Sequence, residues 1–232
     1  MDRQIRKEML DDAELDEKEL MRSLREVWQV NRYMGGNPAL FAHIKRMVLL
    51  AARGGRQVNV LDVATGLADQ PLMLIRWAER KGIGLTVTGV DINSRIVRLA
   101  AARTAGSGAI RIEQGDGRRL TYPDGSFDIA FSNLALHHFD GDDAAMLLRE
   151  LERVSRIGWV AADLERHPAA LGAARLLARF VWRSPVTRHD GPLSVQRAYT
   201  AAEAEALARR AGVDARLHRH FPFRLALVGG GR

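Results

Sequence analysis

Val58-Asn59-Val60-Leu61-Asp62-Val63-Ala64-Thr65-Gly66-Leu67-Ala68-Asp69 is the stretch from which the architecture follows. An apolar run ends in an acid, a turn of small residues follows, and Pro71-Leu72-Met73-Leu74-Ile75-Arg76-Trp77 continues in a helix-compatible pattern. Strand, tight turn and helix in that order open a nucleotide-binding α/β sheet. Small side chains at Ala64, Gly66 and Ala68 let the backbone approach a ligand, and the amides at the start of the helix can receive its polar end. Asp91 and Asp116 each follow a later predicted strand, and their spacing from Asp62 separates the candidate ligands.

Outward from this unit the alternation repeats. Gly84–Asp91 is a strand ending in an acid, Ile92–Ala102 a helix, Ile110–Gln114 a short strand, and Tyr122-Pro123-Asp124-Gly125 a turn. Phe127–Asn133 is a buried strand, Asp142–Val154 a helix, and Trp159–Asp163 a fifth strand that again ends in an acid. Five such steps predict a parallel, doubly wound sheet with right-handed crossovers. Ala169–Trp182 then reads as a helix and Arg183–Pro192 as a polar loop. Thr200 and Glu203 form a capping box for a helix to about Ala211. Val213–Arg219 and Phe223–Val228, closely joined about Phe221-Pro222, predict an antiparallel strand pair.

Before the first strand, Asp16 and Glu19 form another capping-box pattern, and Leu20, Leu24, Val27 and Trp28 recur at helical spacing. Gly35-Gly36 breaks that helix, and a second runs from about Pro38 to Leu50. The pair is expected as a helical cap over the ligand edge, residues 1–55, ahead of a core at 56–232 carrying an insertion at about 164–199. A packing pair without ligand contact is the alternative.

Composition narrows the function classes. The 232 residues are 47% apolar and 27% charged, as in soluble globular proteins. No window approaches roughly 18 uninterrupted apolar residues, and Met1–Glu8 lacks the apolar core of a secretory signal. Absence of cysteine excludes disulfides and thiolate chemistry. The expectation is a cytoplasmic protein without membrane association. The net charge of +7 is mostly arginine scattered along the chain. Its richest stretch, Arg166 to Arg197, sets six arginines against one aspartate. Without a run of five basic residues, this pattern favours a solvated surface over a nucleic-acid tract. The seven histidines form no metal-ligand motif, so no metal is expected.

Asp62–Asp69, Gly89-Val90-Asp91, Gly115-Asp116-Gly117 and Phe127-Asp128 through His137-His138-Phe139 together resemble four successive motifs of the class I S-adenosylmethionine-dependent methyltransferases. The likeness covers residues 20 to 230. Where that family carries three alternating glycines after the acid, alanine stands here at two of the places. Ser184–Ser194 and Phe221–Val228 resemble a bacterial subfamily often encoded beside polyketide synthases that make phenolic products. The resemblance implies a seven-stranded, mostly parallel Rossmann-like sheet and S-adenosyl-L-methionine as cofactor, leaving S-adenosyl-L-homocysteine as product.

The cofactor-binding set so implied is Asp62, Ala64, Gly66, Asp69, Asp91, Ile92, Asp116, Gly117 and Asn133. Asp91 ends a strand where a carboxylate can accept both ribose hydroxyls. A nicotinamide cofactor would use the same acid, but its turn wants G-x-G-x-x-G, and only Gly66 is present. The resemblance gives Asp116 the adenine amino group and the Gly117 amide the ring; a plain turn-former is the other reading of Asp116. Asp62 orders the Gly66 turn and the cofactor's amino end, or simply binds loop amides.

Chemistry is expected at Ser132–His138, which leaves the central strand at its ligand edge. A phenol of pKa near ~10 gains from a base poised near neutrality, for which histidine suits. His137 is the first candidate base and His138 the alternate, with Asp163 orienting the ring, as in some members of the resembled family. A helix-entry histidine with a satisfied hydrogen bond is the plain alternative. Tyr33, Arg188 and His189 are candidate substrate contacts, and His189 beside Asp190 could serve as base instead. The strand end lacks the Asn-Pro-Pro-Tyr motif of many amino-group methyltransferases on nucleic acids or proteins. The expectation is methyl transfer to a small aromatic hydroxyl. C-methylation of a quinone precursor, a non-catalytic cofactor-binding module and an RNA-modifying enzyme are the rivals, and the oligomeric state, a homodimer included, stays open.

Overall fold

The computed structural model describes residues 1–12 and 14–231. Strands β1 (Val58–Val63), β2 (Leu85–Asp91), β3 (Ile110–Gln114), β4 (Phe127–Asn133), β5 (Ser155–Leu164), β6 (Ala215–His220) and β7 (Arg224–Gly230) form one sheet in the order β3-β2-β1-β4-β5-β7-β6. The first five run parallel, and β7 pairs antiparallel with β5 and β6. β2 and β3 lie to one side of β1, and β4 and β5 to the other. The segments that leave the carboxyl ends of β1 and β4 therefore run to opposite faces of the sheet, which opens the cleft where such sheets take ligands.

Alternation along the strands divides the core. Val58 and Val60 of β1 and Ile129 and Phe131 of β4 face one side, with α2 (Gly36–Ala51) and α3 (Asp69–Arg80) packed on them. Leu61 and Val63 of β1 and Trp159 of β5 face the other, beneath α5 (Gly141–Val154) and α8 (Ala201–Ala211). The remaining helices are α1 (Glu17–Tyr33), α4 (Ser94–Thr104), α6 (Pro168–Phe180) and α7 (Pro185–Arg197). Among the described residues no helix is long and apolar enough to cross a membrane.

Three features differ from the sequence expectation. First, α2 is a layer of the core: Leu40, Ile44 and Val48 are fully buried against the sheet. Of the expected capping pair only α1 overlies the ligand edge, where it packs on α2 and α7. Second, the expected loop at 183–192 is mostly helix α7. Ser184 caps it, Pro185 occupies its first turn where no amide is needed, and Pro192 is carried inside it. Gly191-Pro192 reads as a breaker in sequence, yet burial of Val186, Thr187, Leu193 and Val195 holds the helix together. Third, Asp16 caps α1 by accepting from the Lys18 and Glu19 amides, but Glu19 turns to the Ser184 hydroxyl instead of closing the box. The Thr200–Glu203 box is complete.

Ile44→Ala separates a core helix from a peripheral cap. It should lower the unfolding free energy by about 2–5 kcal/mol, the cost of truncating a buried aliphatic side chain. Denaturant titration checks this, and a loss of only a few tenths would show that α2 is dispensable to the core.

Candidate active site

A cavity of about 640 Å3 opens at the carboxyl ends of β1, β2, β4 and β5. Its walls above the sheet are largely apolar, from Trp28 of α1, Met34 just after it, Ala174 and Leu177 of α6, Trp182 and Phe223. The N-terminal segment closes one side with Glu8 and Asp11.

The β1 turn supplies the backbone edge. Ala64 (φ 60°), Gly66 (φ 55°) and Ala68 (φ 58°) all adopt left-handed conformations, which only short side chains make tolerable in so tight a loop. The Thr65 amide donates to the Val90 carbonyl at 3.0 Å and its hydroxyl to Asp62 Oδ2 at 2.7 Å. Gly89 leaves the room, since a Cβ there would sit 2.8 Å from Thr65 Oγ1. Asp91 Oδ2 accepts from the Gly66 amide at 3.1 Å and Oδ1 from the Asn93 amide at 3.0 Å. A carboxylate has about four acceptor sites, so two remain for a ligand. Burial raises the Asp91 carboxyl; those amides and His138 oppose it without cancelling it.

Asp62 lies behind the turn and does not line the cavity. Burial pushes its carboxyl up to about 8, against the Thr65 hydrogen bond and with help from Asp91. Asp69 lines the cavity but is paired with Arg103, which also donates to the Leu67 carbonyl at 2.9 Å. Ile92 stands at the rim, 60% exposed. Asn133 lines the floor, its buried Nδ2 without a hydrogen-bond partner.

Other expected contacts are not brought to the cavity. Arg118 grips Asp116 through Nε to Oδ1 at 3.0 Å and Nη2 to Oδ2 at 2.7 Å, and binds Asp143 with Nη1 at 2.5 Å. Both Asp116 and Gly117 lie outside the lining, and a Cβ on Gly117 would meet Val63 Cγ1 at 2.5 Å. Tyr33 is 75% exposed and turned away. Arg188 Nε donates to the Ala178 carbonyl at 2.8 Å on the outer surface. His189 does pair with Asp190 at 2.7 Å, but its ring is half exposed and off the cavity. Asp190 instead anchors the N-terminal segment by accepting from the Met9 and Leu10 amides at 2.9 and 2.8 Å.

The His137–Asp163 pair is formed. His137, in a 3-10 turn (Leu136–His138) after β4, is buried; its Nδ1 meets Asp163 Oδ1 at 2.7 Å while its amide donates to Oδ2 at 2.8 Å. Burial pushes the Asp163 carboxyl up, but the His137 ring and the amides of Leu164 and His137 outweigh it, so the net shift is downward. The bond through Nδ1 leaves Nε2 toward the cavity, 3.6 Å from Glu8 Oε1 and beyond a direct hydrogen bond. His138 Nε2 lies 3.7 Å from Glu8 Oε2 and its Nδ1 3.5 Å from Asp11 Oδ1. Burial disfavours a charged His138, yet Asp11 and Glu8 prevail over it and over Arg197, raising the ring's pKa.

Glu8, Asp11, Arg197 and Arg224 are site residues that the sequence reading missed. Glu8 and Asp11 belong to a stretch whose acidity reads as solvated surface. Arg197 fixes the turn by donating to the carbonyls of His137 (3.2 Å) and His138 (3.0 Å) and, toward the N-terminal segment, of Arg6 (2.6 Å). The only signal for it was the arginine-rich stretch it ends. Glu8, His137 and His138 also bring ligand atoms within 4.8 Å of one another, a grouping the histidine spacing did not disclose. Their charge is balanced from within: Arg197 and the charged form of His138 face Glu8 and Asp11.

Residues 61–161 match the family model described as a methyltransferase domain. The chain is 37% identical over 105 residues to the nocamycin O-methyltransferase of Saccharothrix syringae, covering 44% of this chain and 36% of that one. It is 29% identical over 136 residues to the demethylmenaquinone methyltransferase of Geobacillus kaustophilus, covering 55% and 56%. The chain thus spans about a third to a half of these relatives' length. The fold is that of a SAM-dependent methyltransferase from Aquifex aeolicus, with a TM-score of 0.54, 18% identity and coverage of 78% and 86%.

Asp62 makes stability depend on pH with a definite sign. Its carboxyl is raised from about 4 when unfolded to about 8 when folded, so the contribution is full below pH ~4 and is lost as pH rises toward 8. Asp62→Asn, with an amide oxygen still able to accept from Thr65, should abolish that loss. Unfolding titrations at a series of pH values should show the variant gaining on the wild type between pH ~4 and ~8; parallel curves would contradict the assignment.

Proposed function

We propose that this chain, whose residues 61–161 form a methyltransferase domain on the fold of the S-adenosylmethionine-dependent enzymes, methylates a hydroxyl of a small aromatic molecule. One arrangement carries the reading: the Asp91–Gly66 edge and the His137–Asp163 pair open onto the same cavity. A cofactor-binding module without catalysis has no use for the second of these.

The residues present fit S-adenosylmethionine. Asp91 keeps free acceptor sites for the ribose diol, the left-handed β1 turn leaves its backbone bare, and the unpartnered Asn133 Nδ2 offers a donor at the β4 end. Asp116 is taken by Arg118, so adenine recognition by its carboxylate requires that grip to yield. When bound, the cofactor supplies an electrophilic methyl group. The protein's share is to align the acceptor and receive its proton. Apolar walls from α1 and α6 hold the ring and exclude water. His137 Nε2 takes the hydroxyl proton, and Asp163, bound at Nδ1, fixes the tautomer and stabilises the resulting charge.

A second reading, methylation of a quinone precursor, is favoured by the demethylmenaquinone methyltransferase among the relatives. It uses the same base, because a ring carbon becomes nucleophilic as its phenolic proton departs. Secondary metabolism is favoured by the likeness to nocamycin O-methyltransferase.

Single-turnover transfer of labelled methyl to a panel of phenols tests the proposal. Asp91→Ala should weaken S-adenosylmethionine binding by roughly 1.5–3 kcal/mol, the scale for a hydrogen bond to a charged group; unchanged calorimetric affinity would refute its role. His137→Ala should slow turnover about 10²–10⁴-fold with cofactor affinity nearly intact. Asp163→Asn should lose less, and the double variant should be scarcely worse than His137→Ala. Near-normal turnover in His137→Ala would assign the rate to alignment alone.

A further inference from the structure

Arg166, Arg197 and Arg224 are buried, the last two in the cavity lining, and they are not equivalent. Arg197 (6% exposed) gives its donors to the carbonyls of His137, His138 and Arg6. Arg166 (8% exposed) donates to the carbonyls of Met1 and Ala198 and pairs with Glu203 at 2.5 Å. Arg224 (4% exposed) makes a single bond, from Nη2 to Asn31 Oδ1 at 3.4 Å. Its Nε is buried without a partner, and among the described residues no carboxylate forms an ion pair with it. Burial lowers its pKa to about 10, with only the more distant charge of Asp163 opposing that. An uncompensated buried guanidinium is costly, and five donors with one long bond are an incomplete site.

Its position says which ligand completes it. Arg224 lines the cavity and opens β7, in register with Leu164 next to Asp163 on β5. Four strand spacings, roughly 19 Å, separate β7 from the Asp91 strand β2. The β1 turn, which receives the cofactor's polar end, is three spacings away. Arg224 therefore stands at the acceptor end, one strand from Asp163 and two from β4, which His137 follows.

We infer that Arg224 binds an anionic oxygen group on the acceptor, so that the substrate is an aromatic acid whose hydroxyl lies at His137 and whose carboxylate lies at Arg224. The inference rests on the methyl-transfer reading for the hydroxyl, but the anion site stands by itself. Apolar walls suit the ring, and a planar carboxylate matches the guanidinium fork. The same site would take an ionised phenol or enol, with fewer hydrogen bonds.

Binding of salicylate and of neutral salicylamide, measured by calorimetry with S-adenosylhomocysteine present, tests this without turnover. Wild type should bind salicylate more tightly, and Arg224→Met should lower salicylate affinity by about 30-fold or more while leaving salicylamide unchanged. Arg224→Lys, which keeps the charge but not the fork, should fall between them. In the ligand-free protein Arg224→Met should melt no lower than wild type, because a charge awaiting a ligand is removed; a structural arginine would instead leave the variant less stable. Salicylate binding no better than salicylamide, or a variant that weakens both alike, overturns the inference. Salicylate held through Arg224 with no methyl transfer to any phenol overturns only the methyl-transfer reading.

Discussion

One carboxylate ties the β4 and β5 ends of the cavity together. Asp163 ends β5 and accepts from both the ring and the amide of His137, which belongs to the turn leaving β4. It thus converts a loop into a fixed extension of the sheet. A buried carboxylate so enclosed must have its charge compensated, and the two bonds from one residue do this while setting the ring's tautomer. Arg197 acts on the same turn from above, binding the two histidine carbonyls that the short helix leaves free. The geometry of the His137 ring is therefore set from β5 below and α7 above.

Charge compensation also explains why the N-terminal segment lies where it does. Glu8 is 5% exposed, and its burial is tolerable because His137, His138, Arg197 and the Ser194 hydroxyl face it. Arg3 extends the attachment to Asp140 and the Phe139 carbonyl. The segment is held by ionic and polar contacts rather than by apolar packing. It forms one wall of the cavity, so whatever enters near His138 meets two carboxylates.

What was legible in the sequence is what local pattern dictates. Val58–Val63 and Phe127–Asn133 are strands because buried parallel strands are apolar throughout, and Asp91 and Asp163 stand out because each breaks such a run at its carboxyl end. The pairing of His137 with Asp163 followed from two expectations together, adjacent strand ends and the resemblance to family members that use such a pair. Nonlocal charge was illegible. Nothing in Glu8-Met9-Leu10-Asp11 distinguishes a buried ligand wall from a solvated acidic tail. The engagement of Asp116 was equally illegible, because nothing in Gly115-Asp116-Gly117 shows that Arg118, two residues on, holds the same carboxylate. Helix α7 was hidden by Gly191-Pro192, since tertiary burial overrides the weak preference such residues express.

Arg166, Arg197 and Arg224 look alike in sequence, and the structure gives them three kinds of partner. An arginine closing on carbonyls is scaffold; one closing on a carboxylate of α8 joins two elements; one closing on neither retains its donors for something that arrives. On the proposed reading, cofactor and acceptor would meet opposite chemistries at opposite ends of one cavity. At the Asp91 end carboxylate acceptors await hydroxyl donors, and at the Arg224 end a donor fork awaits an acceptor. An aromatic acid entering in reverse would set its carboxylate toward Asp91, where like charges repel, and leave the guanidinium bare. For the proposed substrate, that polarity would favour the orientation in which the hydroxyl faces His137.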